Sequence, residues 1–160
     1  MDLSERARKY LENVYRFLTI RNRSEKEVRD YLIKKKAEAE IVEHIIALLQ
    51  QQKFLDDEAF ARGWVTSRAR FRPKGKSALQ FELQQKGVAK ELIEKILNEE
   101  HEDIPDELTQ AKNLIERRIE KLKDAPRQEI YAKVGGFLAR RGYKWDTIKR
   151  SIDEVLRNRV

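Results

Sequence analysis

"FLDDEAFARGWVTSRARFRPKGKSALQFELQQKGVAKELIEKIL", residues 54–97, decides how the whole chain is read. Asp56 and Asp57 stand where carboxylates complement a helix N-terminus, and the helix they open places Phe60 and Trp64 four apart on one face. Pro73 and Gly75 interrupt that helix. Ser77 then leads into a short helix through Phe81 and Leu83 to Gly87, and "AKELIEKIL" makes a third. The stretch is therefore a helical triplet, and the triplet occurs again on either side of it.

Upstream, "ARKYLENVYRFL" sets Tyr10, Leu11, Val14, Phe17 and Leu18 on one stripe. Ser24 precedes Glu27 at capping-box spacing and starts a second helix through Leu32, and "EAEIVEHIIALL" forms a third with Ile41, Ile45, Ile46 and Leu49. Downstream of the acidic, proline-containing link "NEEHEDIPDE", Leu108, Ala111, Ile115, Ile119 and Leu122 form a stripe. Pro126 suits the first turn of the next helix, which ends at Gly142, and "DTIKRSIDEVL" follows. Registered on the middle-helix leucines, the copies agree: Leu32, Leu83 and Leu138 are each followed four residues later by Lys36, Gly87 and Gly142. Val42, Ile93 and Ile148 come ten residues after the leucines, which lie 51 and 55 residues apart. No segment alternates with the two-residue period of a strand, so the fold is all-α. Three tandem three-helix repeats are expected, at residues 1–53, 54–101 and 102–160, packing on their neighbours into an elongated, curved, solenoid-like molecule. Lys36 replaces the turn glycine in the first copy, so that loop has no residue that adopts a left-handed conformation easily.

Composition agrees with several small cores. Charged residues make up 39% of the chain, against roughly 25% in ordinary globular proteins. Thirty-five Lys and Arg against 28 Asp and Glu give a net charge of +7, which suits contact with nucleic acid or an acidic protein surface and equally suits plain solubility. The absence of cysteine excludes a disulfide framework and any Cys-based zinc site. The N-terminal stretch has charges spaced through it, against a signal peptide, and no apolar run reaches the ~20 residues of a membrane span. A cytoplasmic protein away from membranes is expected.

Little in the sequence suggests chemistry. His44 and His101 lack the i+3 or i+4 histidine partner of a metal site, and GxxxxGK[ST], GxGxxG and HExxH motifs are absent. Gly135-Gly136 reads as a close helix contact rather than a phosphate cradle. Capping accounts for the carboxylate pairs Asp56-Asp57 and Glu99-Glu100. No nucleophile stands with a base, so no enzymatic activity, cofactor or metal is assigned.

The basic residues say more. Arg62, Arg68, Arg70, Arg72, Lys74 and Lys76 leave residues 62–81 free of acids and run off a helix end into the Pro73/Gly75 turn. Arg140, Arg141 and Lys144 cluster at what reads as the matching turn of the third copy, as Lys34, Lys35 and Lys36 do in the first. Cations at helix C-termini complement the backbone dipole, which accounts for Lys34 to Lys36 and for Arg140-Arg141. It does not account for Arg72, Lys74 and Lys76, which lie beyond the terminus or open the next helix. A periodic positive face suits a helical polyanion or a filament. Phe60, Trp64, Phe81 and Phe137 are expected in the core, whereas Phe71, Tyr143 and Trp145 adjoin the basic turns, where stacking on bases or on a partner is the alternative to packing.

Three segments carry a family resemblance: "FLDDEAFA", "RPKGKSALQFELQQKGV" with "ELIEKIL", and "GFLARRGYKWDTIKRSI" resemble the signatures of the RecX family, and the similarity extends over residues 5–157. The resemblance implies a bacterial cytoplasmic modulator of the RecA recombinase, made of three tandem three-helix repeats, with no cofactor and no catalytic residues. Proteins of that family associate with the RecA filament on DNA, lie in its groove, limit strand exchange and ATP hydrolysis, and favour disassembly. The family's basic face corresponds to Arg68, Arg70, Arg72, Lys74 and Lys76. The first repeat, "NRSEKEVRDYLIKKKAEAE", departs from the pattern by losing the Lys-Gly turn. The expectation is a monomeric regulator that binds the RecA nucleoprotein filament and mainly inhibits it, with Arg140, Arg141 and Lys144 added to the binding face. Two alternatives stand beside it: a general DNA-binding helical protein, and an interaction scaffold without nucleic acid.

Overall fold

The computed structural model describes residues 2–159, and among these it contains nine helices and no strand. They are α1 (Leu3–Ile20), α2 (Glu25–Lys34), α3 (Ala39–Gln51), α4 (Asp57–Phe71), α5 (Lys76–Gln85), α6 (Lys90–Asn98), α7 (Glu107–Lys121), α8 (Arg127–Arg140) and α9 (Trp145–Arg157). Local chemistry sets the starts. Ser24 and Glu27 form the expected capping box on α2. Asp56 Oδ1 accepts from the Glu58 and Ala59 N–H groups at the start of α4, and Asp106 Oδ1 accepts from Thr109 N–H at the start of α7. Two starts differ from expectation, by two positions at α5 and by one at α8. Gly75, not Ser77, precedes α5, and Pro126 stands just before α8 rather than in its first turn.

The ends of the three middle helices are built alike, and the leucines that set the sequence register anchor them. The carbonyls of Leu32, Leu83 and Leu138 accept the N–H groups of Ala37, Val88 and Tyr143, at 3.0, 3.1 and 3.2 Å. The intervening residue is left-handed each time, with φ of 65° at Lys36, 80° at Gly87 and 90° at Gly142.

The chain divides into two compact units, Met1–Gly63 with Leu83–Ile93, and Trp64–Glu82 with Glu94–Val160. Helices α4, α5 and α6 contribute residues to both. In the first unit, α1, α2 and α3 enclose a core that includes Val14, Val28, Leu32, Ile45 and Leu49, all fully buried. In the second, α9 packs on α7 and α8 around Ile115, Ile119, Leu138 and Ile152. Phe60 and Phe137 are buried as expected, but Phe81 is 62% exposed. The reason is helical phase: Leu79 and Leu83 carry the buried side of α5, and Phe81 lies two residues from each, roughly 200° round the helix.

Candidate functional site

Each unit contains one junction between successive triplets, and both junctions use the same parts. In the first unit the buried Ser24 hydroxyl, just ahead of α2, donates to the Lys86 carbonyl at 2.6 Å. The Glu25 N–H that opens α2 donates to Asp57 Oδ1 at 2.9 Å. In the second unit Gly75, just ahead of α5, donates its own N–H to the Arg141 carbonyl at 2.8 Å. The Lys76 N–H that opens α5 donates to Glu107 Oε2 at 2.8 Å. Helix N–H groups that would otherwise lack a partner are satisfied by carboxylates that open the first helix of the next triplet.

The turn glycines are required by this packing. A Cβ on Gly87 would lie 2.5 Å from Lys26 Cβ, and a Cβ on Gly142 would overlap Ala78 Cβ and lie 2.7 Å from its N. Gly75 is confined too, since a Cβ there would lie 2.5 Å from the Tyr143 N. Lys36, at the same turn position in the first triplet, is exposed and keeps its side chain. The first junction bridges to a carbonyl through a hydroxyl, whereas the second uses the backbone itself because glycine removes the Cβ that would hold the chains apart.

That backbone bond brings the two basic stretches together. The Arg72–Lys76 turn and the Arg140–Lys144 turn meet at Gly75 and Arg141. They are not matching turns of successive copies, as their sequence suggests: residues 72–75 join α4 to α5, whereas 141–144 join α8 to α9. They are the two sides of one junction. Lys34 to Lys36 join α2 to α3 and are thus the counterpart of 140–142 alone.

The individual cations divide into two kinds. Arg68 is held by Glu82 Oε2, at 3.0 Å from Nε and 2.6 Å from Nη2, and its guanidinium lies 5.1 Å from the Trp64 ring centre. Lys74 Nζ lies 3.5 Å from the other oxygen of Glu82, whose side chain is only 14% exposed. These two cations therefore pin the loop to α5. Arg70, Arg72, Lys76, Arg140 and Lys144 are exposed. None of these five makes an ion pair among the described residues. Arg141 is half-buried against the Phe137 ring, at 5.1 Å, and Arg118 from α7 lies on the same ring at 3.7 Å. Arg118 escaped the sequence reading because nothing in an amphipathic helix pattern says which aromatic its exposed arginine covers.

Of the aromatics beside the basic turns, Phe71 is 83% and Trp145 58% exposed, but Tyr143 is buried and unavailable for stacking. Burial, then the Glu107 charge, pushes the Tyr143 phenol well above its ordinary value, with Arg141 acting the other way. A Cβ on Gly135 would stand 3.6 Å from Ile148 and 4.0 Å from the Trp145 indole, ordinary contact distances, and one on Gly136 would meet only the Arg140 side chain of the same helix, so the glycine pair is not the close helix contact expected. Glu107 organises this end of the unit, accepting from Thr147 Oγ1 at 3.1 Å through Oε1 while Oε2 holds the Lys76 N–H. A cleft of about 560 Å³ beside the loop is lined by Arg68, Lys74 and Lys76 but also by Glu99, Asp106 and Glu107, so its charge is mixed.

The corresponding cations of the first junction are closed off. Arg21 binds both oxygens of Glu27, while Arg23 and Lys86 each lie 3.7 Å from Oε2 and the Ser24 N–H lies 3.1 Å from Oε1. Burial pushes the Glu27 carboxyl up, but the Arg21 and Ser24 bonds and the charges of Arg21 and Lys86 outweigh it and hold the group below its ordinary value.

Three family models match in succession: the first three-helix domain of RecX over residues 11–49, the second over 56–97 and the third over 105–152. The chain belongs to the RecX family. It is 32% identical over 151 residues to the regulatory protein RecX of Prosthecochloris aestuarii, covering 94% of this chain and 96% of that one. Identity to the RecX of Bacillus pumilus is 29% across 97% of this chain, which spans only 58% of that longer relative. Among solved structures, RecX from Lactobacillus salivarius superposes with a TM-score of 0.84 at 20% identity, covering 95% of this chain and 97% of that one. A second RecX crystal structure gives a TM-score of 0.77 at 22% identity, with 94% and 73% covered. The RecX fold is thus shared. Among the described residues no helix is long and apolar enough to cross a membrane.

Proposed function

We propose that the chain is a regulatory RecX protein that binds the RecA nucleoprotein filament and restrains its ATP hydrolysis and strand exchange. The exposed cations around the Gly75–Arg141 bond are its contact surface. The carrying observation is that bond, because it joins two basic turns, through residues 66 apart in sequence, into one locus whose outer side chains fold stability does not use. Arg70, Arg72, Lys76, Arg140 and Lys144 make the contact, while Arg68 and Lys74 hold the loop that presents them. The function needs no catalytic group, metal or cofactor.

A titration of RecA ATPase on single-stranded DNA tests this reading: the chain should suppress turnover, and the Arg70→Ala/Arg72→Ala/Lys76→Ala variant should require much more protein for the same effect. Equal potency of variant and parent would refute the assignment of the surface. Exposed Phe71 and Trp145 beside the cations favour a second reading, direct DNA binding with base stacking. Strong binding to bare DNA at moderate salt, lost in Phe71→Ala/Trp145→Ala, would select it.

A further inference from the structure

The two junctions carry cations at three equivalent positions. Arg21, Arg23 and Lys86 frame the first; in the register of the leucines, Arg72, Lys74 and Arg141 frame the second. In the first the frame closes on Glu27, whose carboxylate takes all three cations and the Ser24 N–H while its side chain stays 14% exposed. In the second the position of Glu27 is occupied by Ala78 and that of Glu25 by Lys76, so two carboxylates are missing and a further cation is present. Lys74 is drawn aside to Glu82, and Arg72 is left exposed without an ion pair among the described residues.

We propose that the second junction is the same frame left open for an external carboxylate, donated by an acidic segment of a protein partner. Two arguments favour a carboxylate over the phosphates of a nucleic acid. The group that fills the frame in the first junction is a carboxylate, bound through both oxygens by one arginine. With Lys74 shared with Glu82, exposed Arg72 and the half-buried Arg141, which lies against the Phe137 ring, remain for the incoming group. A run of phosphates would also draw on the matching cations of the first junction, and there Glu27 neutralises Arg21, Arg23 and Lys86. This inference rests on the binding function proposed above and specifies which part of a nucleoprotein partner the site meets.

The test exploits isosteric pairs. Ala78→Glu supplies the carboxylate internally, and Ala78→Gln adds the same volume without charge, so their difference removes any packing cost beside Gly142. Binding of labelled poly-L-glutamate and of a labelled single-stranded oligonucleotide is followed by anisotropy in the full chain. Ala78→Glu should bind poly-L-glutamate about tenfold more weakly than Ala78→Gln, the scale of one charge-assisted contact. Glu27→Gln can still cap α2 through its amide oxygen and frees the first frame, so it should bind poly-L-glutamate several-fold more tightly than the parent. The control Glu12→Gln, an equal charge change at an exposed position, should gain less. Equal affinities in the Ala78 pair, or equal gains in Glu27→Gln and Glu12→Gln, would overturn the proposal. A difference in the Ala78 pair seen with the oligonucleotide alone would overturn the choice of carboxylate. Failure of the parent chain to bind RecA filaments, with the poly-L-glutamate contrast intact, would refute the proposed function and leave the carboxylate site standing.

Discussion

Replacing Gly142 by alanine tests the junction where the proposed contact surface is assembled. Two costs combine. At φ of 90° an L-residue is forced into the left-handed region, which costs about 1–2 kcal/mol. The new Cβ also overlaps Ala78 Cβ and approaches its backbone N to 2.7 Å, and since that N belongs to the first turn of α5 the neighbour cannot swing aside. Overpacking of this kind costs about 1–3 kcal/mol. Together they amount to about 2–5 kcal/mol, which in a domain this size lowers the melting temperature by roughly 10 °C.

Lys36→Gly provides the internal comparison, because Lys36 occupies the same turn position at φ of 65° and is exposed. Relief of left-handed strain, about 1–2 kcal/mol, is offset by the backbone entropy of glycine, about 0.5–1 kcal/mol. The variant should thus lie within about 1 kcal/mol of the parent. Urea unfolding of the two variants and the parent measures both numbers. If Gly142→Ala cost no more than the strain alone, the close approach of the α5 N-terminus would not be a packing constraint and the junction argument would fail.

Arg68→Ala should cost about 2 kcal/mol, because it removes two charge-assisted bonds and leaves Glu82 with only Lys74, whereas Arg72→Ala should leave thermal stability unchanged; equal effects in a thermal melt would contradict the division of the cations. Affinity for RecA filaments should fall steeply with salt in the parent and less steeply in Arg70→Ala/Arg72→Ala/Lys76→Ala, and parallel salt slopes by anisotropy would show that these side chains release no counterions. Glu27 and Asp57 should act in opposite directions in acid. Glu27 titrates below its ordinary value in the folded chain, so its contribution is complete above about pH 4.3 and fades as the pH falls through the folded value. Burial raises Asp57, and its neighbours Glu25, Asp56 and Glu27 add to this against the Glu25 N–H bond, so its protonation favours folding. Stability measured in urea between roughly pH 3 and 6 should therefore vary less steeply in Glu27→Gln and more steeply in Asp57→Asn, and unchanged slopes would refute both assignments.

The helices and their repetition were legible because they are written locally: Ser24 and Glu27 cap α2 through their own spacing, and the register of Leu32, Leu83 and Leu138 marks the one turn whose hydrogen bonds recur three times. What the sequence concealed is which turns meet. The cations at 72–76 and 140–144 look like repeats of one feature, yet one set lies between the first and second helices of its triplet and the other between the second and third. Only the packing of successive triplets turns that offset into contact. The same packing gives Gly87 and Gly142 a role beyond left-handed backbone, since Lys36 shows that the backbone conformation alone does not require glycine. Charge counting failed for a related reason: Arg68 and Arg70 are indistinguishable in an acid-free run, and it is Glu82, on the next helix, that removes Arg68 from the surface. In the first junction Glu27 likewise consumes Arg21, Arg23 and Lys86. The open positive charge of this chain is therefore set less by where its arginines and lysines stand than by where carboxylates partner them: Glu25 and Glu27 in the first junction occupy the positions held by Lys76 and Ala78 in the second, and the acids of the first junction tie its cations into the fold.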